Sequence, residues 1–240
     1  MKILGIIPAR YSSSRFPGKP LIDLKGKSMI ERVYFGAKKC KLIDKVLVAT
    51  DDERIEQHVK GFGGDVELTS EHHRSGTERC AEIIEKYQDF DVVLNIQGDE
   101  PLINPHHLET ILALFENQDT EIGTLITSFT SFEEIENKNR IKVVIGKNGN
   151  ALYFSRSIIP FQEWKVRDFT SYKKHIGVYA FRSDVLKRIS AYGPCDIETQ
   201  ESLEQLRWLY HGHTITTAFI DEPTPNIDVP EDVQRVLDLL

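Results

Sequence analysis

Three short runs along the chain are almost wholly apolar. Ile3, Leu4, Gly5, Ile6 and Ile7 form the first, Val46, Leu47, Val48, Ala49 and Thr50 the second, and Val92, Val93, Leu94, Asn95 and Ile96 the third. A run with no polar face is how a strand covered on both sides of a parallel sheet reads. Helical patterns lie between these runs. Ser28 opens one, with Glu31 placed to reach back and Met29, Ile30, Val33 and Ala37 on a common face. Residues 52–60 predict a short helix stopped at Gly61. Residues 77–87 predict another, with Glu82 and Lys86 at i, i+4. Asn104 and Pro105 start the next, whose Leu108, Ile111, Leu112 and Phe115 follow helical spacing. This alternation predicts right-handed crossovers and helices on both faces of a mostly parallel sheet.

The second half changes period. Ile141, Val143 and Ile145 alternate with other residues, Asn148-Gly149 is a hairpin signal, and residues 151–155 read as the return strand. Residues 175–181 predict a further strand. A helix is expected over 200–211, ended by Gly212, then a strand around 214–219 and a last helix carrying Val233, Val236, Leu237 and Leu240. The acid-rich run 133–136 reads as a solvated helix face. No internal repeat, low-complexity segment or Pro/Gly linker interrupts the chain. The expectation is one α/β domain over 1–240 with an antiparallel insert near 130–185.

Composition adds limits. The chain has 240 residues, 40% of them hydrophobic and 28% charged, which suits a globular protein and not a disordered one. A net charge of −7 argues against a general nucleic-acid surface, since neutralising phosphates needs a basic face. A local basic pocket for a small anion remains compatible with it. The three cysteines, Cys40, Cys80 and Cys195, are far apart in sequence and fit a reducing compartment. The apolar run at the N-terminus is too short for a signal-peptide core, and no stretch approaches a membrane span. A cytoplasmic protein is expected, with no membrane and no nucleic-acid partner.

The charge is unevenly spread. Residues 8–20 hold Arg10, Arg15 and Lys19 and no acid. They follow the first strand, where open α/β sheets place their ligand crevice. Serine hydroxyls and backbone N–H groups in such a loop can cradle phosphate oxygens, and the three cations can balance them. Neither a Walker A nor a GxGxxG spacing is present. A solvated basic loop is the alternative. Gln97-Gly98-Asp99-Glu100-Pro101 follows the third strand, and two acids there suit Mg²⁺, though Gly-Asp and Pro also make turns for local reasons. Asp228, Pro230 and Glu231 precede the last helix and read first as its cap, a role that does not exclude metal binding. The eight histidines show no zinc spacing, and Ser12, Ser13 and Ser14 lack the serine-hydrolase context.

The residues also carry a resemblance. Pro8-Ala9-Arg10-Tyr11 with Ser14-Arg15-Phe16-Pro17-Gly18-Lys19-Pro20-Leu21 closely resembles the opening loop of the CMP-Kdo synthetases, the 3-deoxy-manno-octulosonate cytidylyltransferases. It continues in order through Val48-Ala49-Thr50-Asp51, Ser75-Gly76-Thr77-Glu78-Arg79, Gln97-Gly98-Asp99-Glu100-Pro101 and Lys142-Val143-Val144. Further on come Ala151-Leu152-Tyr153-Phe154-Ser155-Arg156, His175-Ile176-Gly177-Val178-Tyr179, Glu201-Ser202-Leu203-Glu204-Gln205-Leu206-Arg207 and Asp228-Val229-Pro230-Glu231-Asp232.

This resemblance implies a three-layer α/β/α nucleotide-diphospho-sugar transferase (GT-A-like) fold and a homodimer, with 130–185 as the dimerisation region. It implies Mg²⁺-dependent transfer of CMP from CTP to Kdo, releasing pyrophosphate, for lipopolysaccharide or capsule synthesis. Ala9, Arg10, Ser14, Arg15, Lys19, Ser75 and Gly76 are implied to line the nucleotide. Asp99 and Asp228 are implied to ligate the metal, and with Arg10, Arg15 and Lys19 they form the implied catalytic set. Gln97, Arg156, His175, Tyr179, Glu204 and Gln205 are implied to shape the sugar-acid pocket. The chain departs from the family pattern at Arg74, at Asn139-Arg140-Ile141 and over 193–199, which bears on sugar selectivity. A relative acting on the 8-amino analogue carries Gln where this chain has Glu100. The rival functions are the same reaction on 8-amino-Kdo or another sugar acid, and a nucleotide or sugar-acid binding protein without catalysis.

Overall fold

The computed structural model describes residues 1–12, 16–163 and 168–240. The strands are β1 (Ile3–Ala9), β2 (Asp23–Leu24), β3 (Lys27–Ser28), β4 (Lys45–Thr50), β5 (Val66–Leu68), β6 (Val92–Asn95), β7 (Ile122–Ser128), β8 (Lys142–Ile145), β9 (Ala151–Ser155), β10 (Lys173–Arg182) and β11 (Ile215–Phe219). The helices are α1 (Met29–Ala37), α2 (Glu53–Gly61), α3 (Gly76–Lys86), α4 (Pro105–Ala113), α5 (Phe132–Glu136), α6 (Ser183–Ser190), α7 (Asp196–Glu201), α8 (Gln205–Tyr210) and α9 (Asp232–Leu239). The chain divides into two compact units. The first comprises 1–109, 181–190 and 224–240, and the second 110–180 and 191–223. No helix among the described residues is long and apolar enough to cross a membrane.

In the first unit the strands run β6-β1-β4-β5, and every pair is parallel. Leu4, Ile6 and Ile7 of β1 and Leu47, Val48 and Ala49 of β4 are each 0% exposed, so both faces of the sheet are covered. That cover comes from α1, α2 and α3, which connect and pack on these strands. Side chains fix the helix starts. The Ser28 hydroxyl accepts from the Glu31 N–H, the Asp52 carboxylate from Arg54, and the Ser75 hydroxyl from Glu78. Gly61 is the last residue of α2, and the left-handed turn falls later, at Gly63 (φ 77°). A separate cluster of Leu24, Met29, Ile227 and Val236 seats α9.

In the second unit β7 pairs in parallel with β11, and β8 is antiparallel to both β9 and β10. The Asn148-Gly149 turn joins β8 to β9 as expected, with Gly149 at φ 80°. Two expectations need correction. The helix expected over 200–211 is two helices, α7 and α8, separated by Ser202 in the left-handed conformation (φ 51°). The run 133–136 is not a plain solvated face. In α5, Ile135 is buried, and the Glu134 carboxylate accepts from the Thr130 N–H and hydroxyl and pairs with Lys174.

Candidate active site

Because β6, β1 and β4 are parallel neighbours, the segments leaving their carboxyl ends share one side of the sheet. Arg10, Asp51 and the Gln97–Glu100 segment lie there. Pro8 and Ala9 belong to β1, not to the loop, and Ala9 is buried. Gly98 allows the turn after β6 to press against β1: a Cβ on it would lie 2.9 Å from the Pro8 carbonyl oxygen. Gly76, the first residue of α3, lies against Pro8 and Asn95, so the start of this helix faces the same strand ends. Ser75 caps α3 with its hydroxyl. Gln97 is half-buried just beyond β6.

Lys19 is the centre of this arrangement. Gly18 turns in the left-handed region (φ 73°) and starts a 3-10 turn over Lys19–Leu21, with Pro20 buried beneath it. The Lys19 ammonium then donates to Asp99 Oδ2 and to the Ile227 carbonyl, each at 2.9 Å. The Ile227 N–H donates to the Asp99 carbonyl at 2.9 Å. Three segments far apart in sequence therefore meet, and Asp228 is brought beside Asp99. Asp228 does not cap α9. The N-cap residue of α9 is Glu231, which makes no side-chain cap bond, and the Asp232 carboxylate accepts from the Asp228 and Val229 N–H groups. Asp228 Oδ2 accepts from the Asn226 amide at 2.8 Å.

Glu100 is a member of this group whose own role the sequence reasoning left open. Burial and the neighbouring Asp99 charge push its carboxyl up to about 7, against a hydrogen bond from the Thr224 hydroxyl at 2.9 Å. Arg10 donates to the His73 carbonyl, and burial with the nearby Arg79 lowers its pKa. Ser14 and Arg15 lie outside the described residues.

Of the sugar-side candidates, Gln97 belongs to the first unit and Arg156, His175, Tyr179, Glu204 and Gln205 to the second. The His175 ring lies 5.0 Å from the Phe154 ring and 5.3 Å from that of Tyr179, and Tyr179 packs edge-on against Trp208 at 4.9 Å. His175 Nε2 is 3.0 Å from the Thr124 hydroxyl, which itself donates to the Val178 carbonyl at 2.8 Å. Burial lowers the His175 pKa to about 3, so the ring is neutral at physiological pH. Burial, and then the charge of Glu204, hold the Tyr179 hydroxyl well above its ordinary value. Glu204 and the buried Gln205 open α8. Arg156 stands apart in kind. Its guanidinium donates to the carbonyls of Glu201, Ser202 and Lys138, so it braces the break between α7 and α8. Thr124 and Trp208 escaped the sequence reasoning. Thr124 sits in β7, whose threonines and glycine hide a buried strand, and Trp208 reads as ordinary core.

A basic loop and two acids beyond the carboxyl ends of parallel strands define an α/β protein of the nucleotidyltransferase class. The family model for cytidylyltransferases matches residues 4–215. The 3-deoxy-manno-octulosonate cytidylyltransferase of Parabacteroides distasonis is 50% identical over 251 residues, covering 100% of this chain and 98% of its own. The protein of the same name from Bacteroides thetaiotaomicron is 52% identical over 250 residues, with the same coverage. The solved structure of CMP:2-keto-3-deoxy-manno-octonic acid synthetase complexed with CTP matches with a TM-score of 0.94 at 41% identity, covering 100% of this chain and 98% of that one. The chain belongs to the 3-deoxy-manno-octulosonate cytidylyltransferase family. Its fold is the three-layer nucleotide-diphospho-sugar transferase type, mostly parallel with a smaller antiparallel part.

Proposed function

We propose that this chain transfers CMP from CTP to the anomeric hydroxyl of Kdo, giving CMP-Kdo and pyrophosphate. The observation that carries this is the clamp in which Lys19 joins Asp99 to residue 227, seen in a chain about half identical to named Kdo cytidylyltransferases. Attack of a sugar hydroxyl on the α-phosphorus depends on positioning and charge neutralisation, with no covalent protein nucleophile. Arg10, Arg15 and Lys19 bind and orient the triphosphate. Ala9, Ser14, Ser75 and Gly76 line the nucleotide, and Gln97 contacts the sugar acid. In the second unit His175, Tyr179, Glu204 and Gln205 hold the sugar acid, and Arg156 keeps the start of α8 in place.

The donor set fits Mg²⁺. Asp99 and Asp228 offer hard carboxylate oxygens, and Asp99 already binds a cationic group, the Lys19 ammonium. Among the described residues no cluster of three or more His, Cys, Asp or Glu could hold a metal. Mg²⁺ needs none, since it takes one or two carboxylates with waters and phosphate oxygens. When bound, it would polarise the α-phosphate and offset the charge of the leaving pyrophosphate. The proposal includes a homodimer through the 130–185 region, where Leu152, Ile158 and Phe161 are exposed at 61%, 46% and 89%.

Pyrophosphate release on mixing CTP, Mg²⁺ and Kdo tests the reaction. Lys19→Ala is expected to lose about 100-fold or more in turnover, the scale of losing one charged transition-state contact. No release above that variant from the wild type would refute the reaction. A panel with 8-amino-Kdo, compared by kcat/KM, decides the acceptor.

A further inference from the structure

Arg79, on α3, is 0% exposed. Its guanidinium bonds the Asp51 carboxylate at 2.6 Å and the Thr69 hydroxyl, and its Nε finds no partner among the described residues. An apolar side chain of similar volume would fill this position without leaving an N–H unpaired. The retained charge therefore calls for a reason beyond packing. Arg10 supplies one. It shares an electrostatic neighbourhood with Arg79, Asp51 and Glu78, yet among the described residues its only bond is to the His73 carbonyl. A carbonyl anchors a guanidinium without neutralising it. Both nearby carboxylates are engaged elsewhere: Asp51 by Arg79, and Glu78 by the Arg74 N–H at 2.7 Å. The His73 ring is itself fixed by Glu82 at 2.6 Å, which steadies the carbonyl that holds Arg10.

The geometry points to Arg79 as a positioning residue that sequesters Asp51 and so keeps the Arg10 charge available for the phosphates of an incoming nucleoside triphosphate. This deepens the CTP reading and rests on it. Arg79 touches no substrate. It acts by denying Arg10 an internal partner, since a guanidinium already paired with a carboxylate binds phosphate poorly. Without Arg79, the half-buried Asp51 carboxylate loses its cation, and Arg10, which leaves β1 beside the point where Asp51 leaves β4, replaces it.

The test is a double-mutant cycle. Arg79→Met is expected to weaken CTP binding by calorimetry at least 10-fold and to raise the KM for CTP more than it lowers kcat. Adding Asp51→Asn to that variant is expected to restore most of the affinity, which a purely structural role would not do. Asp51→Asn alone, which keeps Arg79, is expected to bind CTP as tightly as the wild type. A 10-fold loss there, or no rescue in the double variant, overturns the proposal. A crystal structure of Arg79→Met decides it without nucleotide: Arg10 paired with Asp51 supports it, and Arg10 still on the His73 carbonyl overturns it. Absence of CTP binding by the wild type would instead strike the functional reading, while the crystal structure still judges this one.

Discussion

Asp228 and Asp232 stand four residues apart and do different work. The Asp232 carboxylate gathers the Asp228 and Val229 N–H groups and so shapes the turn that leads into α9. The Asp228 carboxylate accepts from the Asn226 side-chain amide and leads no helix. Asp232→Ala is therefore expected to cost about 1.5–3 kcal/mol of stability in urea melts, the value of hydrogen bonds to a charged acceptor. Asp228→Asn keeps an acceptor for Asn226 and is expected to melt within about 0.5 kcal/mol of the wild type, with turnover about 100-fold lower. Equal effects of the two changes on activity would remove Asp228 from the metal site. The sequence pointed to the right stretch here and the wrong cap, because capping boxes are local patterns while the Asp232 bonds reach backward out of the helix.

At the level of elements, the close approach of two strand ends sets the geometry of the acids. Gly98 has no room for a side chain: a Cβ would meet backbone at 2.9 Å, and backbone yields less readily than a flexible side chain. Gly98→Ala is expected to destabilise by about 1–3 kcal/mol through overpacking. It should also cut kcat/KM about 10-fold or more by displacing Asp99. Thermal melts and pyrophosphate assays on the one variant read both effects, and wild-type activity would show that the segment has slack. The three central strands were legible because burial on both faces leaves a uniform apolar run. β7 was not legible, since Gly123, Thr124 and Thr127 break its apolar character and are satisfied only by partners remote in sequence, as when Thr124 donates to the Val178 carbonyl. The break at Ser202 was hidden for a similar reason: the left-handed residue is held by Arg156, 46 positions away.

Across the whole molecule, one buried ring gives stability a pH signature. His175 is neutral in the fold with a pKa of about 3, below the ordinary value of 6.5. In the unfolded chain it takes up a proton once the pH drops below 6.5, and in the fold it does not. Its contribution is thus complete above pH 6.5 and declines as the pH falls toward 3, by at most about 1.4 kcal/mol per pH unit. His175→Gln is expected to remove that share. Between pH 7 and pH 5, the wild type should lose about 1–2 kcal/mol more than the variant in urea melts. Parallel profiles would mean that the ring titrates in the fold as it does in the unfolded chain. The net charge of −7 gave no hint of this, nor of Lys19 pairing with Asp99. The opposing signs were visible in the sequence and the family resemblance implied that they converge, but spacing alone could not show it, because the convergence joins positions 19, 99 and 227.

That convergence orders events during protein synthesis. Lys19 and residue 227 are separated by 208 positions. At ribosomal speeds the lysine waits about 10–40 s for the carbonyl that completes its setting. Until residues 226–228 emerge, the Lys19 ammonium has Asp99 without the Ile227 carbonyl. A nascent or prematurely terminated chain can present the cations of a triphosphate site without its second acid. Fragments ending before residue 228 lack the second acid and are expected to release no pyrophosphate from CTP and Kdo.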